Sequence, residues 1–105
     1  MRVITARELK QRLGVNDPPF VLDVREPWEY ALCKLPGSHH IPMREIPQRL
    51  AELPAEGEIV VLCHHGVRSL QVATFLERQG FSQLYNLTGG VDAWARDVDP
   101  GMAVY

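Results

Sequence analysis

The chain has 105 residues, 46% hydrophobic and 23% charged, with a formal net charge of -2. That balance fits one folded domain, 1–105, with its own core. It offers no basic surface for nucleic acid and none for an anionic membrane, so any anion site must be built locally. No apolar run reaches the length of a membrane span, and the opening MRVITARELKQRL lacks the apolar stretch of a signal peptide. Two cysteines, Cys33 and Cys63, make no disulfide framework. A cytoplasmic protein with both thiols free is expected, although the sequence alone does not exclude a pairing between them.

In chain order, RVI is a short strand, and Thr5 opens TARE, a capping box that starts a helix running to about Leu13. GVNDPP breaks it, and FVLDV follows as a strand with the continuous apolar character of burial on both faces. EPWEYALCKL reads as a short helix with Pro27 in its first turn, PGSHHIP as a turn and a very short strand, and MREIPQRLAEL as a helix with Pro47 near its start. IVVLC is the strongest strand. SLQVATFLERQG is a helix with Leu70, Val72, Ala73, Phe75 and Leu76 on its apolar side and Gly80 at C′. LYNL is the last strand, GGVDAWARDV a short helix and DPGMAVY a tail. Strands separated by helices predict an α/β fold, a mostly parallel central sheet flanked by helices on both faces.

The segment most suggestive of chemistry is VVLCHHGVRSLQ. In such a sheet, ligands bind beyond the carboxyl ends of the strands. Cys63 ends the best strand and Ser69 opens the next helix. Gly66 between them can take a positive φ, which curls backbone N–H groups inward as an anion nest. The helix N-terminus adds its dipole and Arg68 a fixed positive charge. A thiol at the floor of that cradle has its pKa lowered and becomes a nucleophile facing an anion site.

These residues carry a resemblance. CHHGVRS resembles the active-site loop of the rhodanese family of sulfurtransferases, VLDVREPWEYA the family segment after its second strand, LPGSHHIP its G-H-I-P-G-A stretch, and LTGGVDAW its G-G-x-x-A-W signature. The likeness spans nearly the whole chain and is nearest to single-domain members. It implies a rhodanese-like fold and a catalytic Cys63 that takes the outer sulfur of a small anionic donor such as thiosulfate and becomes a persulfide. A thiophilic acceptor, whether cyanide, a thiol or a protein, then removes that sulfur. It further implies a substrate cradle of His64, His65, Gly66, Val67, Arg68 and Ser69, with the backbone N–H groups stabilising the persulfide and His64, His65 and Arg68 orienting the donor. No cofactor, metal, nucleic acid or membrane is expected to take part.

Two other readings stay open. Phosphatases and arsenate reductases of the same fold use a loop of C-x5-R spacing, one residue longer than the C-x4-R of Cys63 and Arg68. Non-catalytic regulatory modules of this fold often lack the cysteine, which is present here. Cys33 and Lys34 stand where the family usually has glycine and histidine. Cys33 reads as a packed bystander, the alternative being a resolving thiol for Cys63. His39, His40, His64 and His65 lack metal-ligand spacing. Asp23 and Arg25 end a strand on the same side of the sheet as Cys63. They read as an ion pair with each other or with Glu26 or Glu29, and alternatively as a shell that orients the loop. Trp28, Tyr30 and Trp94 read as packing residues.

Overall fold

The computed structural model describes residues 1–105. Five strands, β1 (Arg2–Ile4), β2 (Phe20–Asp23), β3 (His39–His40), β4 (Ile59–Leu62) and β5 (Leu84–Leu87), form one parallel sheet in the order β1-β5-β4-β2-β3. The helices are α1 (Ala6–Leu13), α2 (Pro27–Leu32), α3 (Val67–Arg78) and α4 (Gly90–Asp97). The parallel α/β arrangement expected from the sequence is the one observed.

Alternation along β4 divides the core. Val60 and Leu62 face a cluster that includes Leu9 of α1 and Val91 and Trp94 of α4. Ile59, Val61 and Cys63 face a second cluster with Val72, Ala73 and Leu76 of α3. All four β4 residues are buried, and each buried aliphatic side chain contributes about 1.5–3 kcal/mol. The same alternation directs the Cys63 side chain to the α3 face.

Local signals account for the helix ends. Thr5 Oγ1 accepts the Glu8 amide at 3.1 Å and Glu8 Oε1 accepts the Thr5 amide at 2.9 Å, completing the capping box. At the end of α3, Gly80 takes φ +101°. Its amide donates to Glu77 O, and the Phe81 amide reaches back to Leu76 O, both at 3.1 Å, which is a Schellman closure.

Three expectations are corrected. Residues MREIPQRLAEL form two short 3₁₀ segments, Met43–Gln48 and Leu50–Glu52, in place of one helix. Pro47 has no N–H and its ring disfavours α geometry at the residue before it, so the chain closes tighter bonds such as Arg49 N to Ile46 O at 3.1 Å. Trp28 is 60% exposed rather than packed, because the six-residue α2 buries Glu29 instead. Leu70 is exposed at the start of α3, away from that helix's buried face.

Candidate active site

Cys63 follows β4, and His64 to Gly66 turn the chain into α3. Gly66 has φ +110°, as its place in the loop required. Its amide donates to Cys63 Sγ at 3.1 Å, and Ser69 Oγ lies 3.4 Å from the same sulfur. Cys63 is 1% exposed. Burial pushes its thiol up, but hydrogen bonds from the Ser69 side chain and from the Ser69, Gly66 and His65 amides outweigh burial and bring it below its ordinary value. The sulfur therefore sits where backbone dipoles favour an anion.

Two elements hold the loop in this shape, and neither was assigned a role from sequence. Asn86 on β5 accepts from Ser69 Oγ at 2.5 Å and donates Nδ2 to Gly66 O at 3.1 Å. A lone polar residue in the buried stretch LYNL was the available signal. The N-terminus of α4 supplies the second support: Val91 N donates to Cys63 O at 2.9 Å and Asp92 N to His64 O at 3.1 Å. With its carbonyls claimed on that side, the loop keeps its amides for the sulfur. This contact requires Gly90, where a Cβ would overlap the Cys63 carbonyl oxygen and lie 2.5 Å from that of His64. The doubled glycine of LTGGVDAW is thus a close-approach requirement.

Arg68 lies in the first turn of α3, but its charge is not free. Nη1 and Nη2 donate to Oε1 and Oε2 of Glu29 at 2.6 and 2.9 Å, a two-pronged pair. The Arg68 fork holds the Glu29 carboxyl down to about 2 against its burial. Tyr105, in the segment read only as a tail, donates its hydroxyl to Glu29 Oε2 at 2.7 Å and stacks on the His64 ring at 3.8 Å between centroids. Burial pushes the Tyr105 hydroxyl up to about 12.

Asp23 and Arg25 pair with each other and are both fully buried. The remaining Arg25 donors go to Glu29 O, to Cys33 Sγ and O, and to Tyr105 Oη. Asp23 shares the face of Val21, the α1/α4 face, and so lies across the sheet from the Cys63 side chain. The pair meets the loop only through Glu29 and Tyr105.

His64 and His65 stack at 3.9 Å with an interplanar angle of 25°. Partial burial, then the neighbouring His65, hold the His64 imidazole below its ordinary value. The ligand atoms of His64, His65 and Asp92 all fall within 4.8 Å of one another, a grouping the sequence did not reveal because Asp92 is far from the histidines in the chain and meets them only through the α4 contact. The His64 ring is engaged in stacking with both His65 and Tyr105, and no ion site is assigned to the group. His39 stacks on Phe20, and His40 contacts Arg25 O at 2.7 Å. Both histidines occupy the short strand β3. Cys33 and Cys63 are both free thiols, packed in different clusters on opposite faces of the sheet. The largest cavity, about 540 Å³, opens near Phe20, Glu58 and Gln83 at the other end of the strands.

A family model for the rhodanese-like domain matches residues 5–97. A sulfurtransferase of Allochromatium vinosum is 38% identical over 93 residues, covering 89% of this chain and 87% of that protein. An adenylyltransferase and sulfurtransferase of Zea mays is 36% identical over 109 residues, covering 97% of this chain but 23% of that much longer protein. The structure of a rhodanese-like domain protein from Staphylococcus aureus superposes with a TM-score of 0.87 at 34% identity, covering 100% of this chain and 99% of that one. The chain belongs to the rhodanese-like family of sulfurtransferases.

Proposed function

We propose that the protein moves a sulfane sulfur from thiosulfate or a related donor to a thiophilic acceptor through a persulfide on Cys63. The observation that carries this reading is the Cys63 sulfur itself, which receives the Gly66 amide at 3.1 Å at the floor of a loop leading into a helix N-terminus. In the first half-reaction the Cys63 thiolate attacks the outer sulfur of the donor. The donor's S–S bond breaks, its electron pair leaves with the departing group (sulfite, when the donor is thiosulfate), and Cys63 becomes a persulfide. In the second, cyanide, a thiol or a protein nucleophile takes the outer sulfur and returns Cys63 as thiolate. The roles are Cys63 as nucleophile, the His64 to Ser69 backbone as cradle, and the His64, His65 and Arg68 side chains at its mouth.

The likeness to the similar-length sulfurtransferase of Allochromatium vinosum supports this reading, and two free thiols suit a cytoplasmic setting. No helix is long and apolar enough to cross a membrane. The test is the intact mass before and after a sulfur donor, and again after cyanide. Gain of one sulfur on Cys63, removed by cyanide, is expected. Turnover of a phosphate ester with no sulfur uptake would overturn the assignment.

A further inference from the structure

Past α4 the chain folds back toward the Cys63 loop. Asp99 N donates to Trp94 O at 2.9 Å and Met102 N to Asp99 O at 3.0 Å, and Met102 packs against the cluster that holds Val91 and Trp94. Residues 103–105 then border Val91 and Ala95 of α4 and reach His64. The region matched by the family model ends at residue 97, so this contact belongs to the segment beyond it.

Tyr105 engages the site twice. Its hydroxyl accepts from Arg25 Nη1 at 3.0 Å and donates to Glu29 Oε2 at 2.7 Å. Both partners are buried and already fixed, Arg25 by Asp23 and Cys33 O, Glu29 by the Arg68 fork. Burial pushes the hydroxyl up to about 12, so it remains a donor at neutral pH. Its ring lies on the His64 ring at 3.8 Å between centroids and 14° between planes. His65 stacks on His64 at 3.9 Å and 25°. Two rings that close and that nearly parallel to a third would overlap if they shared one of its faces, so His64 is clamped between them. An unclamped histidine on a loop samples several rotamers; this one keeps a single orientation beside the sulfur cradle. The edge of Trp28, with centroids 5.7 Å apart, supports Tyr105 from the side.

We propose that Tyr105 is a positioning residue: anchored to the buried Arg25–Glu29 frame, its ring fixes the His64 imidazole at the mouth of the Cys63 loop in the orientation that receives the sulfur donor. The proposal rests on Cys63 being the sulfur-accepting residue and on His64 helping to orient the donor. Tyr105 itself touches neither the sulfur nor the donor in this role, and it acts through His64.

The test measures two rates at Cys63, sulfur loading from thiosulfate by intact mass and alkylation by iodoacetamide, a small neutral reagent that needs no orientation at the mouth. The proteins are the wild type, Tyr105→Ala, Tyr105→Phe, His64→Ala and the Tyr105→Ala/His64→Ala double variant. In Tyr105→Ala, loading is expected to fall about tenfold while alkylation changes less than about twofold, because the Gly66 and Ser69 contacts to the sulfur do not involve Tyr105. Tyr105→Phe keeps the ring and should load at least about threefold faster than Tyr105→Ala. In the His64→Ala background, Tyr105→Ala should have no further effect on loading. Loading in Tyr105→Ala as fast as in the wild type overturns the inference. A parallel change in alkylation overturns it too, since the effect would then lie in the cradle or the fold. So does a Tyr105→Phe no faster than Tyr105→Ala, or an undiminished effect of Tyr105→Ala without His64. Each of these outcomes leaves the sulfurtransfer reading standing, whereas a wild-type Cys63 that takes up no sulfur overturns both. Should Tyr105→Ala fail to fold, Tyr105→Leu, which fills volume without a flat face, takes its place.

Discussion

Ser69 donates its hydroxyl to Asn86 Oδ1 at 2.5 Å, and Asn86 Nδ2 donates in turn to Gly66 O at 3.1 Å. A single amide on β5 thereby ties both flanks of the turn around Cys63 to the sheet. Ser69 Oγ also lies 3.4 Å from Cys63 Sγ. A hydroxyl has one proton, and the shorter bond to Asn86 claims it while the thiol is protonated.

Ser69→Ala removes the hydroxyl that helps hold the thiol below its ordinary value, so the Cys63 pKa is expected to rise. The pH profile of iodoacetamide alkylation should shift to higher pH, and the rate at neutral pH should fall about tenfold. The same change leaves the buried Asn86 oxygen without its donor, at a cost of about 1–3 kcal/mol in urea unfolding. An unmoved alkylation profile would mean that the amides alone tune the sulfur.

Gly90→Ala tests the close approach of α4. Its Cβ would overlap the Cys63 carbonyl oxygen, and backbone cannot give way as a flexible side chain does, so a loss of about 3 kcal/mol or more is expected, together with slower sulfur loading of Cys63. Gly37→Ala is the control. It also has positive φ, +73°, but nothing lies within 4 Å of its Cβ, and conformational strain alone costs about 1 kcal/mol. Equal shifts of the urea midpoint in the two variants would remove the steric argument.

Cys33→Ala should leave sulfur loading unchanged within twofold, because Cys33 packs on the α1/α4 face and Cys63 on the α3 face. Mild oxidation of the wild type should produce no intramolecular disulfide, checked by mass after alkylation without reduction. A Cys33–Cys63 linkage would require the loop to leave its place on the sheet.

The sheet was legible in the sequence because strand runs such as IVVL are buried on both faces, which leaves little freedom in composition. The Cys63 loop was legible because thiol, glycine and helix start are adjacent in the chain. Its supports were not, since Asn86, Gly90, Glu29 and Tyr105 reach the loop only through tertiary contact. Arg68 shows the limit most clearly: sequence supplies its charge, but the partner that neutralises it stands 39 positions earlier. The 3₁₀ course of residues 43–52 turned on one proline whose effect on helix type periodicity does not register.

The Arg68–Glu29 pair also sets an acid limb of stability. The Glu29 carboxyl is held down to about 2 from an ordinary 4.5, chiefly by the Arg68 fork. A depressed folded-state pKa means the unfolded chain binds the proton first, so this contribution is fully present above about 4.5 and is lost as pH falls through about 2. With Glu29 buried and Arg68 partly exposed, it amounts to about 2–3 kcal/mol. Urea unfolding of the wild type should therefore weaken between pH 4.5 and 2, and Glu29→Gln should flatten that limb while lowering stability at pH 7. A Glu29→Gln limb as steep as that of the wild type would assign the acid sensitivity to other carboxylates.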